Sequence, residues 1–336
     1  MPSLYANIKS GRKAKESQIS EKIKSAKANK NAPKPLLERL SYLWHADQIV
    51  VRHALTPEVE QALDIDPSAP LSLDIIVIAL STAEVLFQAE FDKCRVILRL
   101  SNTLVVKIVP TDEDAGAECA ALHYLHTHAA ELPVPTPLGL LKIEKRDLLF
   151  MSYVPGEDID NIWTSLQPEQ KRDLAAQVES FFTSLRALRP APAQLWGRCD
   201  GQGCVDQRRR DRHAEDPITN ADQFKDFYFS KPLYGSKAWI KFLRNLYDLP
   251  DANQSSNECV FTHGDLRLAN IRVIRNEDGS CKLSGVIDWE LSGWYPDWWE
   301  SVKLTNCIGP SEKKNWLLYI PSNIAPSSYP VKWLIT

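Results

Sequence analysis

The stretch Phe261-Thr262-His263-Gly264-Asp265-Leu266-Arg267-Leu268-Ala269-Asn270-Ile271-Arg272-Val273-Ile274-Arg275-Asn276-Glu277-Asp278-Gly279-Ser280-Cys281-Lys282-Leu283-Ser284-Gly285-Val286-Ile287-Asp288-Trp289-Glu290 decides how the chain is read. It holds a loop (His263 to Asn270), a β-branched run (Ile271 to Arg275), a turn cluster (Asn276 to Ser280) and a second apolar run (Cys281 to Ile287). Two apolar runs joined by turn residues predict a β-hairpin. A hairpin returns to where it began, so Asn270 and Asp288 are expected at the same end of the ladder. Asp265 sits in the loop that feeds it.

Two carboxylates and a carboxamide oxygen converging in this way are hard oxygen ligands, suited to Mg²⁺ carrying substrate phosphates. His263-x-Asp265, with Asn270 five residues after the Asp, also has the spacing of a kinase catalytic loop. There the Asp receives the substrate hydroxyl proton and the Asn holds a metal. Asp288 takes the place of the second metal-binding Asp. Asp and Asn also cap ordinary surface turns. Their joint occurrence with His263 around one hairpin favours phosphoryl-transfer chemistry.

His263-Gly264-Asp265 through Asn270, then Ile287-Asp288-Trp289-Glu290 and Gly293-Trp294-Tyr295-Pro296, resemble the aminoglycoside phosphotransferase and choline-kinase-like family, particularly its fungal branch. Gly264 stands where eukaryotic protein kinases usually carry Arg, and the resemblance runs from about Cys94 to about Lys303. It implies an α+β, protein-kinase-like bilobal fold: an amino-terminal antiparallel β-sheet lobe and a mainly helical carboxyl lobe. It also implies an interlobe hinge at Met151, Ser152, Tyr153 and Val154, whose backbone would meet adenine. By their own pattern these residues equally fit a sheet strand ending at Pro155-Gly156.

Composition is that of an ordinary globular chain of 336 residues, long enough for a two-lobed core. A net charge of −3 points to no clear nucleic-acid partner. Seven cysteines without paired spacing read as reduced thiols. Cys199 and Cys204 with His213 lack the second pair that a zinc site needs. Leu71 to Ala89 is interrupted by Asp74 and Glu84, so it reads as buried structure, not as a membrane span. The expected location is cytoplasmic, or nuclear if the basic leader acts as an address.

The division expected along the chain is a basic leader at 1–34, a helical extension at 35–70, a sheet lobe with hinge at 71–154, a helical lobe at 155–309 and an irregular tail at 310–336. The leader has nine Lys/Arg against two Glu and few large apolar residues, a composition of disorder. Leu36, Leu37, Leu40, Leu43 and Trp44 recur at helical spacing between Pro35 and Asp66. Ile75 to Leu80, Val85 to Glu90, Arg95 to Leu100 and Leu104 to Val109 read as strands. Lys107 lies in the last of these between apolar neighbours, so it either snorkels or meets an anion. Glu118 precedes Leu122 by four residues and Leu125 by seven, sharing an inward helical face. Lys107 is its available partner, as in the kinase pair that holds Lys against the α/β-phosphates; a solvated Glu118 at the edge of the stripe is the alternative. No Gly-rich loop lies between Glu84 and Leu104 and no Gly-x-x-x-x-Gly-Lys-Ser/Thr occurs, which excludes a P-loop enzyme.

Pro168 to Leu188 carries Leu174, Val178, Phe181, Phe182 and Leu185 on one helical face. Arg208-Arg209-Arg210 and Arg212 read as an exposed charged face or an anion-steering patch. Trp294, Trp298 and Trp299 either pack the lobe or line an acceptor pocket. The resulting expectation is a small-molecule kinase that uses ATP and Mg²⁺ on a hydroxyl substrate. Asp265 is the base, Arg267 a candidate for the γ-phosphate, Asn270 and Asp288 the metal ligands, and His263 a brace for the loop. The competing reading is a nucleotide-binding pseudokinase or scaffold without turnover.

Overall fold

The computed structural model describes residues 48–336 except 67, 90–94, 112–114, 191–194, 207–211, 233–234, 251–257, 307–311 and 336. The basic leader and the apolar stripe from Leu36 to Trp44 lie outside the described residues. Two compact units form: one from the residues up to 113 with 138–151, the other from 114–137 with 152 onward.

The first unit is a six-stranded sheet in the order β1-β5-β6-β4-β3-β2. Its strands are β1 (Ile49–His53), β2 (Glu84–Gln88), β3 (Val96–Arg99), β4 (Leu104–Pro110), β5 (Pro137–Ile143) and β6 (Arg146–Ser152). The β1/β5, β2/β3 and β3/β4 ladders are antiparallel. Val96, Leu98, Val106, Ile108, Leu141 and Phe150 form a core with Val59, Ile76, Val77 and Leu80 from two helices, Pro57–Ala62 and Leu73–Thr82. Side chains alternate along a strand, so Lys107 leaves β4 on the face opposite Val106 and Ile108. It is nevertheless only 4% exposed. Asp147 of β6 is buried and takes Arg52 Nη1 of β1 at 2.7 Å, and burial raises its carboxyl above the ordinary value.

Two expectations fail in this unit. Ile75 to Leu80 is part of the Leu73–Thr82 helix, not a strand. Ile76, Val77 and Leu80 are buried while Ile78 is exposed, a one-sided helical pattern that a short apolar run conceals. The helical reading from Pro35 to Asp66 meets β1 instead over Ile49–His53, where two consecutive valines and the ladder to β5 favour a strand.

The second unit is mainly helical, with Ala115–His128, Pro168–Ala187, Ala221–Tyr228 and Lys237–Tyr247 as its longer helices. It also contains the predicted hairpin, β11 (Ile271–Arg275) and β12 (Cys281–Val286), bordered by the short strand β7 (Glu157–Asp158). Ile271 pairs with Val286 and Arg275 with Cys281, and Ile287 N donates to Asn270 O at 2.9 Å. Asn270 and Ile287 therefore meet at the open end of the ladder. Pro168–Ala187 opens with Gln167 and Gln170 capping each other and Pro168 in the first turn. Its Gln177 exchanges hydrogen bonds with Cys281 O and Leu283 N, which seats the helix on the hairpin.

A second core gathers Trp196, Phe224, Tyr228, Tyr247, Tyr295, Trp298, Trp299 and Tyr329. Trp294, Trp298 and Trp299 are all buried, so packing accounts for them. Arg212, read as exposed, is 2% exposed and pairs with Asp206 at 3.2 Å. The cause is local: β8 (Val205–Asp206) and β9 (Arg212–His213) place these two residues opposite each other. Arg208 to Arg210 lie outside the described residues. The carboxyl segment is built from short 3₁₀ turns and the Pro330–Leu334 helix. Arg186 binds it to the body by donating to Asn323 O, Asp297 O and Tyr329 Oη. Among the described residues no helix is long and apolar enough to cross a membrane.

Candidate active site

The site is built on the segment between β10 (Cys259–Thr262) and the hairpin. His263 is fully buried, and its Nε2 lies 3.0 Å from Ile287 O while Asp265 N donates to its Nδ1 at 3.2 Å. An accepting Nδ1 fixes the Nε2–H tautomer, and burial holds the imidazole pKa below its ordinary value. The ring also meets Trp289 edge-on at 4.6 Å. His263 thus braces the loop against the strand exit at the open end of the hairpin.

Gly264 has φ +81°, and a Cβ there would lie 2.5 Å from Leu291 O. No side chain fits, which is the physical reason for glycine rather than Arg at this position. Asp265 follows, and Asn270 Nδ2 donates to its carbonyl at 2.8 Å and to its Oδ2 at 3.3 Å. That orientation turns Asn270 Oδ1 to the opposite side. Burial pushes the Asp265 carboxyl up to about 6, against the lowering effect of Arg267 and with the help of Asp288 and Glu290. Arg267 is 47% exposed and lies between the two acids, with Nε 3.4 Å from Asp265 Oδ2 and Nη2 3.6 Å from Asp288 Oδ2.

Asp288 has φ +70°, a left-handed conformation that non-glycine residues rarely adopt. Carboxylate oxygens of Glu118, Asp288 and Glu290 all lie within 4.8 Å of one another. Glu118 is 1% exposed and accepts Trp289 N at 3.1 Å. Asp288 and Glu290, with the Asn270 carboxamide at the same end of the ladder, offer hard oxygen donors, and a divalent cation held by them would relieve the repulsion among the three carboxylates. The chemistry of the residues therefore fits Mg²⁺.

The structure brings Asp265, Arg267, Asn270, Asp288 and Glu118 together within the second unit. Lys107 is buried in the first unit. Of the residues expected to form a hinge, Met151 is buried, while Ser152 N donates to Thr136 O at 2.9 Å and Ser152 Oγ accepts Thr136 N at 2.8 Å. Ser152 N–H is thus committed within the protein. Tyr153 and Val154 are partly exposed.

Three further residues at the candidate site were given no role of their own by the sequence reading. Glu300 Oε2 accepts His263 N at 2.8 Å and Gly264 N at 3.2 Å, holding the loop from below. Burial raises its carboxyl above the ordinary value. Its signal was an acid placed directly after two tryptophans, since a buried carboxylate requires partners. Arg272 donates to Asp158 at 2.5 Å, to Gly156 O and to Tyr153 Oη at 3.4 Å, tying the segment 153–158 to β11. Glu290 joins the carboxylate group beside Asp288; two residues beyond Asp288 on the same strand exit, it was legible only as part of a motif.

No match is found among curated proteins. Among solved structures the chain is similar to the GDP complex of wild-type aminoglycoside 2'-phosphotransferase-IIIa, at 16% identity over 76% of this chain and 85% of that chain, with a TM-score of 0.46. It is also similar to aminoglycoside-3'-phosphotransferase of type VIII, at 18% identity over 75% and 85% of the two chains, TM-score 0.45. A third is the complex of an aminoglycoside phosphotransferase from Streptomyces rimosus with ADP and streptomycin, at 15% identity over 71% and 88%, TM-score 0.41. The sequence model of the phosphotransferase enzyme family matches residues 84–317, a span that includes every residue of the site just described, and the chain belongs to that family.

Proposed function

We propose that the chain is an ATP- and Mg²⁺-dependent phosphotransferase acting on a hydroxyl group of a small molecule, with Asp265 as the base. The observation that carries this reading is the meeting of Asp265, Asn270 and Asp288 at one end of the hairpin, with Arg267 reaching both carboxylates. Asn270 through Oδ1 and Asp288 would hold Mg²⁺, which when bound offsets charge on the β- and γ-phosphates. Asp265 would orient the acceptor hydroxyl and take its proton. A carboxyl raised to about 6 is a stronger base than an ordinary Asp yet mostly ionised at neutral pH. Asn270 fixes its direction through two hydrogen bonds.

Arg267 would contact the γ-phosphate, and Lys107 the α/β-phosphates. Backbone groups of Met151, Ser152, Tyr153 and Val154 would receive adenine, with Ser152 N–H excluded by its bond to Thr136. Most of the acceleration would come from positioning and charge neutralisation. Residues 301–336 carry one Glu against four Lys, a balance that does not attract a polycation, so an aminoglycoside does not follow from the family as the acceptor. Nor do the buried tryptophans offer an open cage for a quaternary ammonium.

The test is titration calorimetry with Mg-ATP followed by ADP release in the presence of hydroxyl-bearing metabolites. Binding with acceptor-dependent release is expected. Saturable binding without turnover on any acceptor would replace this reading with a pseudokinase, and absence of binding would remove nucleotide chemistry altogether.

A further inference from the structure

We infer that Glu118 is a positioning residue for Asp288, acting through the backbone N–H of Trp289, and that this contact sets how tightly the site holds a divalent cation. The inference rests on the phosphotransferase reading and adds a role to a residue expected only to face Lys107.

The argument begins at Asp288. Its φ of +70° is disfavoured for any residue with a Cβ, so neighbouring contacts must hold it. On the amino-terminal side the hairpin does this: Ile287 N donates to Asn270 O at 2.9 Å, and Ile287 O faces His263 Nε2 at 3.0 Å. On the other side the Trp289 ring is anchored by Nε1 donating to Val286 O at 2.8 Å. The Trp289 backbone N–H donates to Glu118 Oε1 at 3.1 Å. Glu118 comes from the first turn of the Ala115–His128 helix, a separate element of the same unit.

The Glu118 carboxylate lies within 4.8 Å of those of Asp288 and Glu290. Like charges oppose that approach; the N–H bond favours it. An outer residue that fixes the backbone of a metal ligand typically changes affinity by about 10- to 100-fold when removed.

Two substitutions separate acceptor from charge. Glu118→Gln keeps an oxygen for Trp289 N–H and removes the negative charge, whereas Glu118→Asp keeps the charge and withdraws the oxygen by one methylene. Mn²⁺ binding in the presence of adenylyl imidodiphosphate, followed by electron paramagnetic resonance, reads the effect without turnover. Glu118→Asp should weaken Mn²⁺ by about tenfold or more, and Glu118→Gln should stay within about threefold of wild type. In turnover assays Glu118→Asp should raise the KM for the metal more than it lowers kcat. Gln as weak as Asp, or weaker, would show that an acceptor for the Trp289 N–H without the charge does not sustain binding, and overturn the inference; so would both variants binding like wild type. A wild-type protein that takes up no Mn²⁺ with the nucleotide would instead overturn the phosphotransferase reading beneath it.

Discussion

Glu300 accepts the backbone N–H of His263 at 2.8 Å, and the same oxygen also receives Gly264 N, so one buried carboxylate fixes the backbone just ahead of Asp265. Glu300→Ala leaves two buried N–H groups without a partner, at a cost of about 2–6 kcal/mol. Glu300→Gln restores an acceptor and should recover much of that loss. Thermal unfolding should rank the proteins wild type, Gln, Ala, and kcat should follow the same order. Equal melting of Ala and wild type would show that the loop does not depend on this bond.

Asp265→Asn should abolish turnover while leaving ATP affinity within a few-fold of wild type. In the wild-type protein the carboxyl at about 6 must be ionised to act. Below that pH the base is protonated and kcat/KM should fall about tenfold per pH unit. A flat profile between pH 5 and 8 would remove Asp265 as the base.

Arg267 lowers the Asp265 carboxyl through the 3.4 Å contact. Replacing it by Gln withdraws that stabilisation of the anion, so the acid limb of the pH–rate profile should move to higher pH. The KM for ATP should rise together with it if the guanidinium also meets the γ-phosphate. A limb that stays in place would assign Arg267 to solvent.

Gly264→Ala meets both a left-handed φ and the Leu291 carbonyl at 2.5 Å. The backbone penalty alone is about 1–2 kcal/mol, and the collision adds to it by displacing the loop. Melting temperature and kcat should both drop, with nucleotide affinity less affected.

Asp147 provides a test of the first unit. Its folded carboxyl is raised above the ordinary 3.8, burial outweighing Arg52 and Thr111. For a raised acid the stabilising contribution is complete below the unfolded value and is lost as pH rises through the folded one. Asp147→Asn lacks that loss. The difference in unfolding free energy, variant minus wild type, should therefore increase from pH 4 towards 7. A constant difference would mean that the Arg52 pair offsets burial fully.

What the sequence revealed was local. The hairpin, the loop before it and the meeting of Asn270 with the strand exit at Ile287 follow from turn residues flanked by apolar runs, all within thirty positions. The Pro168–Ala187 helix was equally readable, because its apolar face repeats through 20 residues and its start carries Gln167 and Pro168. Failures came where a partner that the pattern does not name decides the outcome, whether near in sequence or far. Leu73–Thr82 is helical because one face of it packs against strands far along the chain. Arg212 is buried because Asp206 waits across a two-residue ladder that no pattern announces. Glu300 reaches His263 over a separation of 37 residues, and only folding makes the pair visible.

Arg186 and Tyr329 bear on the order in which the protein is made. Arg186 lies midway along the chain, yet its donors are taken by Asp297 O, Asn323 O and Tyr329 Oη. Tyr329 also completes the aromatic core that contains Trp298 and Trp299, the residues just before Glu300. During synthesis the loop His263 to Asn270 therefore leaves the ribosome well ahead of the segment that closes its support. A nascent chain stopped short of Asn323 already holds Asp265, Asn270 and Asp288 but has only one of the three acceptors that Arg186 engages, so the support of the proposed site is assembled later than the motif itself.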